Sequence, residues 1–206
     1  MTATPRAILF DLGNVLVDVD YRLAIQRFPP GPLSGEEMLH RITAAGLIRE
    51  TNLGRLAPVP FYERVRELVG LPPEMDFLAF RAAYCSIFRA KPEMDRLLAR
   101  LAPRCRLGLL SNTDLMHHHV IEEQFPIFSV PTVRVLSYQV GLFKPDPAIY
   151  RLAVERLGTA PAETLFVDDL QANVDGARAV GLQGLLFSGE PALARDLQHL
   201  GMLTPP

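Results

Sequence analysis

Cysteine is scarce in this sequence, and long apolar runs are absent. The chain of 206 residues has two cysteines, Cys85 and Cys105, without CxxC or metal-ligand spacing. This excludes a disulfide framework and predicts two reduced thiols in a reducing compartment. The first residues lack the charged and apolar regions of a secretory signal, and no apolar run is long enough to cross a bilayer. We therefore expect a cytoplasmic protein with no membrane partner.

An excess of basic charge is also missing. Lys and Arg number 21 and Asp and Glu number 23, which gives a formal net charge of -2. This balance does not favour a nucleic acid as a partner, although a local cluster of charge can still hold a small anion. With 49% hydrophobic and 21% charged residues, the composition is that of a globular core domain with a small accessory one.

Short apolar segments alternate with helical patterns over most of the chain. Residues 7–10 form a continuous apolar run, which predicts a strand buried on both faces. After residue 91, predicted helices (93–101, one after 114, 148–157, 172–180, 191–200) alternate with predicted strands (105–110, 133–136, 164–167, 185–187). This alternation predicts an α/β fold, a three-layer α/β/α Rossmann-like core with a parallel sheet.

The region between residues 21 and 89 has a different pattern. Apolar residues recur at helical spacing in 36–47, 61–69 and 77–88, and proline-rich breaks separate these segments. We predict a small helical domain without strands. The predicted boundaries are 17–89 for this insert and 1–16 with 90–206 for the core.

Polar side chains lie at four points where the chain is expected to leave the predicted sheet. They are Asp11, the run Ser111-Asn112-Thr113, Lys144, and the pair Asp168-Asp169. In parallel sheets, ligands bind beyond the carboxyl ends of the strands. We therefore expect one crevice that holds three carboxylates, one ammonium, hydroxyls and an amide.

This set of groups suits phosphoryl transfer. Three carboxylates at one site repel one another unless cations lie among them, and Mg²⁺ is bound by carboxylates, waters and substrate phosphate. Beside such a cation, with Lys144 opposite, Asp11 can stay ionised and attack phosphorus. Ser111 or Thr113 can hydrogen-bond the phosphoryl oxygens that carry developing charge.

The four clusters resemble, in order, the four motifs of the haloacid dehalogenase superfamily, and the helical insert resembles its cap domain. The sequences Phe-Asp-Leu-Gly-Asn-Val-Leu-Val-Asp, Leu-Ser-Asn-Thr and Phe-Val-Asp-Asp resemble in particular the bacterial branch that includes α-glucose-1-phosphate phosphatases. The resemblance implies that Asp11 is the nucleophile and that Asp11, the Gly13 carbonyl and Asp169 bind Mg²⁺. It also implies that Ser111 and Lys144 are catalytic and bind phosphate.

Four further residues complete the predicted site. The resemblance implies that Asp168 and Asn173 hold metal waters or orient Asp169 and Lys144. Asn112 and His117 are predicted to contact substrate. In the run His117-His118-His119, consecutive helical residues point in different directions and make a poor chelate. We expect this run to be exposed helix surface, with His117 alone able to reach the crevice.

The chain departs from the superfamily pattern at Gly13. Most phosphatases of the superfamily have there a second Asp, which serves as the acid and base. Without it, the substrate needs a leaving group that requires little protonation, such as a sugar 1-phosphate, or another group serves, or the protein is a weak catalyst. Candidates for another group are Asp18, Asp20, the segment 50–55 and His117, although Asp18 and Asp20 are also expected in the hinge into the insert.

The sequence therefore predicts a Mg²⁺-dependent phosphatase that hydrolyses a small phosphorylated metabolite, a sugar phosphate among the candidates, through an aspartyl-phosphate on Asp11. The alternatives are a 2-haloacid dehalogenase that uses Asp11 on carbon and a non-catalytic binding protein. The paired carboxylates of Asp168-Asp169 favour the phosphatase. A monomer and a homodimer are both compatible with the sequence.

Overall fold

The computed structural model describes residues 4–29, 31 and 33–204. Seven strands lie in this part of the chain: β1 Ala7–Phe10, β2 Val17–Val19, β3 Phe88–Ala90, β4 Arg106–Ser111, β5 Val133–Leu136, β6 Thr164–Asp168 and β7 Gln183–Leu186. The α-helices there are α1 Tyr21–Ile25, α2 Gly35–Ala44, α3 Leu47–Asn52, α4 Pro58–Val69, α5 Phe77–Tyr84, α6 Pro92–Leu101, α7 Leu115–Gln124, α8 Ser137–Val140, α9 Pro147–Leu157, α10 Gln171–Ala179 and α11 Glu190–His199. None of these helices is both long enough and apolar enough to span a membrane.

A five-stranded sheet forms the middle layer, in the order β5-β4-β1-β6-β7, and each neighbouring pair is parallel. β1 is central and fully buried, because residues of α6 and α11 pack on one face and residues of α9 and α10 on the other. This arrangement confirms the predicted three-layer α/β/α fold and explains why β1 reads as a continuous apolar run.

The helices α2–α5 pack around a separate hydrophobic cluster, with Phe61, Val65 and Phe80 at most 1% exposed, and α1 contacts α2 and α5. They form the predicted helical cap. The prediction that residues 21–89 contain no strand is wrong, because β3 begins at Phe88 and pairs antiparallel with β2. The two chain segments that join cap and core satisfy their backbone groups by pairing with each other, and three-residue strands are too short to leave a periodic pattern. The domain boundaries themselves stay a prediction.

Two predicted cap helices are divided in the structure. The segment 36–47 contains nearly all of α2 and the first residue of α3, because Gly46 has a left-handed φ of 72° that interrupts the helix. The segment 77–88 leaves the α-helix after Tyr84, and a 3₁₀ turn, Cys85–Ile87, leads into β3. Both Cys85 and Cys105 are free thiols, the first buried and the second half-buried.

A buried polar contact joins the cap to the core. The hydroxyl of Tyr84 on α5 donates to Asp114 Oδ2 at 2.9 Å, and Asp114 is 0% exposed. Burial alone would raise the pKa of Asp114, but the charge and hydrogen bonds of His117, with the hydrogen bond from Tyr84, hold that pKa below its ordinary value. The cap is therefore attached partly through a hydrogen bond to a charged acceptor.

We expect Tyr84→Phe to lower the free energy of unfolding by about 1.5–3 kcal/mol, because a hydrogen bond to a charged group is lost. The matched control is Tyr62→Phe, which removes a hydroxyl that donates to the Met75 carbonyl at 2.7 Å within the cap. A neutral hydrogen bond contributes about 0.5–1.5 kcal/mol. Urea denaturation at pH 7 measures both losses, and equal losses would contradict a charged link between cap and core.

Candidate active site

The carboxyl ends of the three central strands bring the predicted groups together. Asp11 follows β1, Ser111 ends β4, and Asp168 ends β6. Lys144 reaches the same place from the loop between α8 and α9. The parallel register of the sheet thus places side chains from distant parts of the sequence in one crevice beneath the cap, as predicted.

Lys144 lies between two carboxylates. Its Nζ is 2.8 Å from Asp11 Oδ1 and 2.7 Å from Asp168 Oδ2, and the residue is 2% exposed. Burial alone would lower the pKa of Lys144, but the charges of Asp11 and Asp168 and their hydrogen bonds raise it above its ordinary value. The ammonium is therefore kept charged inside the protein.

Burial raises the pKa of Asp11 to about 6, although the charge of Lys144 lowers it and that of Asp168 raises it further. The ammonium of Lys144 thus does not fully offset the effects of burial and of the Asp168 charge on the pKa of Asp11. Carboxylate oxygens of Asp11, Asp168 and Asp169 all lie within 4.8 Å of one another. This concentration of negative charge fits a nearby divalent cation such as Mg²⁺.

Asp168 makes four hydrogen bonds or ion pairs with the protein. Besides Lys144, it accepts from Asn173 Nδ2 at 3.0 and 3.1 Å and from the Leu170 N–H at 2.9 Å. Asp169 is half-buried and accepts from Asn14 Nδ2 at 3.2 Å. Asp168 and Asn173 therefore hold Lys144 in place, and Asp169 keeps an oxygen for a cation.

Asn112 holds the backbone of Lys144. Its Nδ2 donates to the Lys144 carbonyl at 3.1 Å, and its Oδ1 accepts from the Lys144 N–H at 2.8 Å. These two bonds occupy the amide, so the geometry gives Asn112 a positioning role. Ser111 is 3% exposed, and its hydroxyl makes no side-chain hydrogen bond with any residue that the structure describes, which leaves it open to a ligand.

Asn14 is a site residue that the sequence prediction missed. It has a left-handed φ of 56°, which Asn tolerates better than most residues. Besides its bond to Asp169, its Oδ1 accepts from the Val19 N–H at 3.1 Å, and its carbonyl accepts from Lys91 Nζ at 2.6 Å. Asn14 thereby ties the loop after β1 to both strands that lead into the cap. The Gly-Asn turn after a strand was the available signal.

His117 and His118 are buried, at 9% and 8% exposure, and His119 is exposed. The prediction of an exposed run is therefore wrong for His118, whereas His117 was the one histidine expected to reach the crevice. His117 packs against Tyr84 and Phe88, and His118 packs against Phe128 and Tyr138. His117 lines the cavity, with Nδ1 2.7 Å from Asp114 and Nε2 3.2 Å from the Tyr84 carbonyl. Both ring nitrogens are engaged by protein acceptors, which leaves none for a leaving group.

The other candidates for a missing acid are engaged elsewhere. Asp18 pairs with Lys91 at 3.0 Å, and Asp20 caps α1 and pairs with Arg22 at 2.8 Å. Within the segment 50–55, Glu50 and Arg55 form a partly exposed pair at 3.4 Å. None of these charged side chains lines the cavity above Asp11. The chain thus shows no substitute for the acid absent at Gly13 among the groups considered from sequence.

Comparisons with known proteins agree with this geometry. Residues 5–181 match a family model described as haloacid dehalogenase-like hydrolase. The chain is 28% identical to D-ribitol-5-phosphate phosphatase of Bacteroides thetaiotaomicron, over 85% of this chain and 88% of that protein. It is 26% identical to the sesquiterpene phosphatase astK of Aspergillus oryzae, over 97% and 98% of the two chains.

Two solved structures are also similar. A family enzyme of B. thetaiotaomicron, in complex with magnesium and inorganic phosphate, superposes with a TM-score of 0.78 at 25% identity, over 88% of this chain and 93% of that one. An L-2-haloacid dehalogenase of Xanthobacter autotrophicus superposes with a TM-score of 0.67 at 25% identity, over 98% and 85%. The glucose-1-phosphate branch is not confirmed by these relatives. Because the family model spans most of the chain, the protein belongs to the haloacid dehalogenase-like hydrolases.

Proposed function

We propose that this hydrolase is a Mg²⁺-dependent phosphatase that cleaves a small phosphomonoester through an aspartyl-phosphate on Asp11. The observation that carries the proposal is the buried Asp11–Lys144 pair at 2.8 Å, with the carboxylates of Asp168 and Asp169 beside it. Relatives named as phosphatases and a similar enzyme with bound magnesium and phosphate support it.

The charges at the site fit a divalent cation. Asp11, Asp168 and Asp169 bring three negative charges together, and Lys144 supplies one positive charge. Asp11, Asp169 and the carbonyl of Gly13 would hold Mg²⁺, with Asp168 supporting Lys144. When bound, the ion lowers the repulsion among the carboxylates and neutralises charge on the phosphoryl oxygens.

Each side chain at the site has its own role in the proposed reaction. Asp11 Oδ attacks phosphorus, the phosphorus–oxygen bond to the alcohol breaks, and the alcohol oxygen leaves with the electron pair. Lys144 and the Ser111 hydroxyl bind the phosphoryl oxygens while charge develops. Water then attacks the phosphorus of the aspartyl-phosphate, which releases inorganic phosphate and restores Asp11. Gly13 has no side chain to protonate the alcohol oxygen, so the leaving group receives its proton from water.

Gly13 also favours a second candidate function. A 2-haloacid dehalogenase would use Asp11 on carbon, and a halide leaves without any proton, so no acid is needed. The cluster of three carboxylates weighs against it, since that chemistry needs no cation. We retain a cytoplasmic location, a small phosphorylated metabolite as partner and a monomer or homodimer as predictions.

We expect Asp11→Asn to abolish Mg²⁺-dependent phosphate release from p-nitrophenyl phosphate, with a loss of at least about 10⁴-fold in kcat, because the nucleophile is gone. Asp175→Asn is the control, since it makes the same change on the exposed face of α10, where activity should not change. Phosphate release that persists in Asp11→Asn would rule out the proposed nucleophile. Halide release from 2-haloacids unaffected by EDTA, without any phosphatase activity, would establish the dehalogenase.

We expect Gly13→Asp to raise kcat on alkyl phosphates by about 10²-fold, the lower end of what a positioned acid contributes. A Cβ at Gly13 would lie 3.2 Å from Val19 Cγ2, and Gly13 has no positive φ, so a small shift of Val19 admits the side chain. p-Nitrophenyl phosphate, whose leaving group needs little protonation, should gain far less.

Gly13→Asn controls for the size of the new side chain, because it has the same shape and no acidic proton. Steady-state kinetics of the three proteins on both esters give the comparison. Equal effects of Asp and Asn would show that protonation of the leaving group does not limit the enzyme.

A further inference from the structure

A large cavity continues from the phosphate-binding groups into the space between cap and core. Its volume is about 590 Å³, and Asp11, Ser111, Lys144 and Asp169 line one end. Pockets that enclose drug-sized ligands measure roughly 300–1,000 Å³. The cavity thus has room for an organic group well beyond the phosphate.

The cap wall of this cavity is apolar. The segment from α1 to α3 contributes six large apolar residues to it: Ile25, Phe28, Met38, Leu39, Ile42 and Ile48. All six are only partly buried, because the cavity itself leaves part of their surface uncovered. Tyr21 and Leu170, which also line the cavity, are 53% and 57% exposed, so the apolar surface reaches solvent on both the cap side and the core side.

The part of the lining that α2 and α3 contribute has few polar side chains. Thr43 and Asn52 are the polar lining residues contributed by α2 and α3, and Thr43 is largely exposed to solvent. A sugar enclosed here would bury several hydroxyls against hydrocarbon, and a buried hydroxyl without a hydrogen bond is unfavourable. The lining therefore does not favour the sugar phosphate considered from the sequence.

We propose that the substrate is a phosphate monoester whose organic part is apolar, an aromatic or hydrocarbon group that fills the cavity under the cap. This inference rests on the proposed phosphatase activity, since the phosphate is placed at Asp11 and Lys144. The occupant is a small molecule because Asp11 and the apolar residues line the same cavity of about 590 Å³.

The test uses phenyl phosphates with para-alkyl chains from methyl to hexyl. The acidity of the leaving phenol is nearly constant in this series, so differences report binding of the chain. We expect kcat/KM to rise roughly fourfold for each added methylene, the factor that corresponds to burial of one CH₂, until the cavity is filled. We expect glucose 1-phosphate and glucose 6-phosphate to react far more slowly than the hexyl compound.

Two matched variants locate the effect. Leu39→Asn changes a half-buried cavity residue that is not part of the cap's hydrophobic cluster. We expect it to lower kcat/KM for the hexyl compound by about 10-fold, as expected for loss of leucine contact area, and for phenyl phosphate by less than about twofold. Leu68→Asn, on α4 at 37% exposure and away from the cavity lining, should leave both values unchanged.

The outcomes separate this inference from the proposed function. Magnesium-dependent turnover with no dependence on chain length, or with a preference for the glucose phosphates, overturns the apolar substrate and keeps the phosphatase. If no ester is hydrolysed, the phosphatase proposal fails, and titration calorimetry with para-alkylbenzyl phosphonates still decides the cavity's ligand. Affinity that rises with chain length supports an apolar ligand, and affinity that stays constant overturns it.

Discussion

The arrangement of the active-site side chains depends on the ammonium of Lys144, which lies 2.8 Å from Asp11 and 2.7 Å from Asp168. A buried charge is tolerated only when it is paired and hydrogen-bonded, and each partner here is itself held. Asn112 binds the Lys144 backbone, and Asn173 binds both oxygens of Asp168. The loop of Lys144 and the ends of β1 and β6 are thus linked by one charged network, which positions the nucleophile before any ligand arrives.

That network also determines where a cation and a phosphate fit. The oxygens of Asp168 accept hydrogen bonds from Lys144, Asn173 and the Leu170 amide, whereas Asp169 accepts one from the side chain of Asn14. Negative charge therefore remains on the side of Asp11 and Asp169, and positive charge on the side of Lys144. A divalent cation is attracted to the first side and phosphoryl oxygens to the second. Asn14 connects this division to the cap, because its carbonyl and side chain hold Lys91 and Val19 at the strands that lead there.

The sequence predicted the core and the charged end of the site well, because both follow from short-range rules. A continuous apolar run marks a central parallel strand, and Asp11 and Asp168 follow such runs directly. Contacts between cap and core could not be predicted in the same way. Tyr84 and Asp114 are 30 residues apart, and no periodicity indicates that they meet. His117 is buried beside that contact, stacked on Tyr84, and His118 is buried against Phe128 and Tyr138, which are also distant in sequence.

Gly13 and the apolar cap wall impose two constraints on the same substrate. Without an acid at position 13, the alcohol must leave as an anion or take its proton from water, and an apolar cavity limits the supply of water. Phenols ionise near pH 10, as the tyrosine side chain does, whereas an alkoxide is a far stronger base. A phenolic leaving group can therefore depart without an acid to protonate it, and its ring fits the apolar cavity lined by residues such as Phe28 and Ile42. A sugar 1-phosphate meets the first constraint and violates the second, and a long-chain alkyl phosphate does the reverse. Within the proposed class of apolar phosphate monoesters, an aryl phosphate therefore meets both constraints.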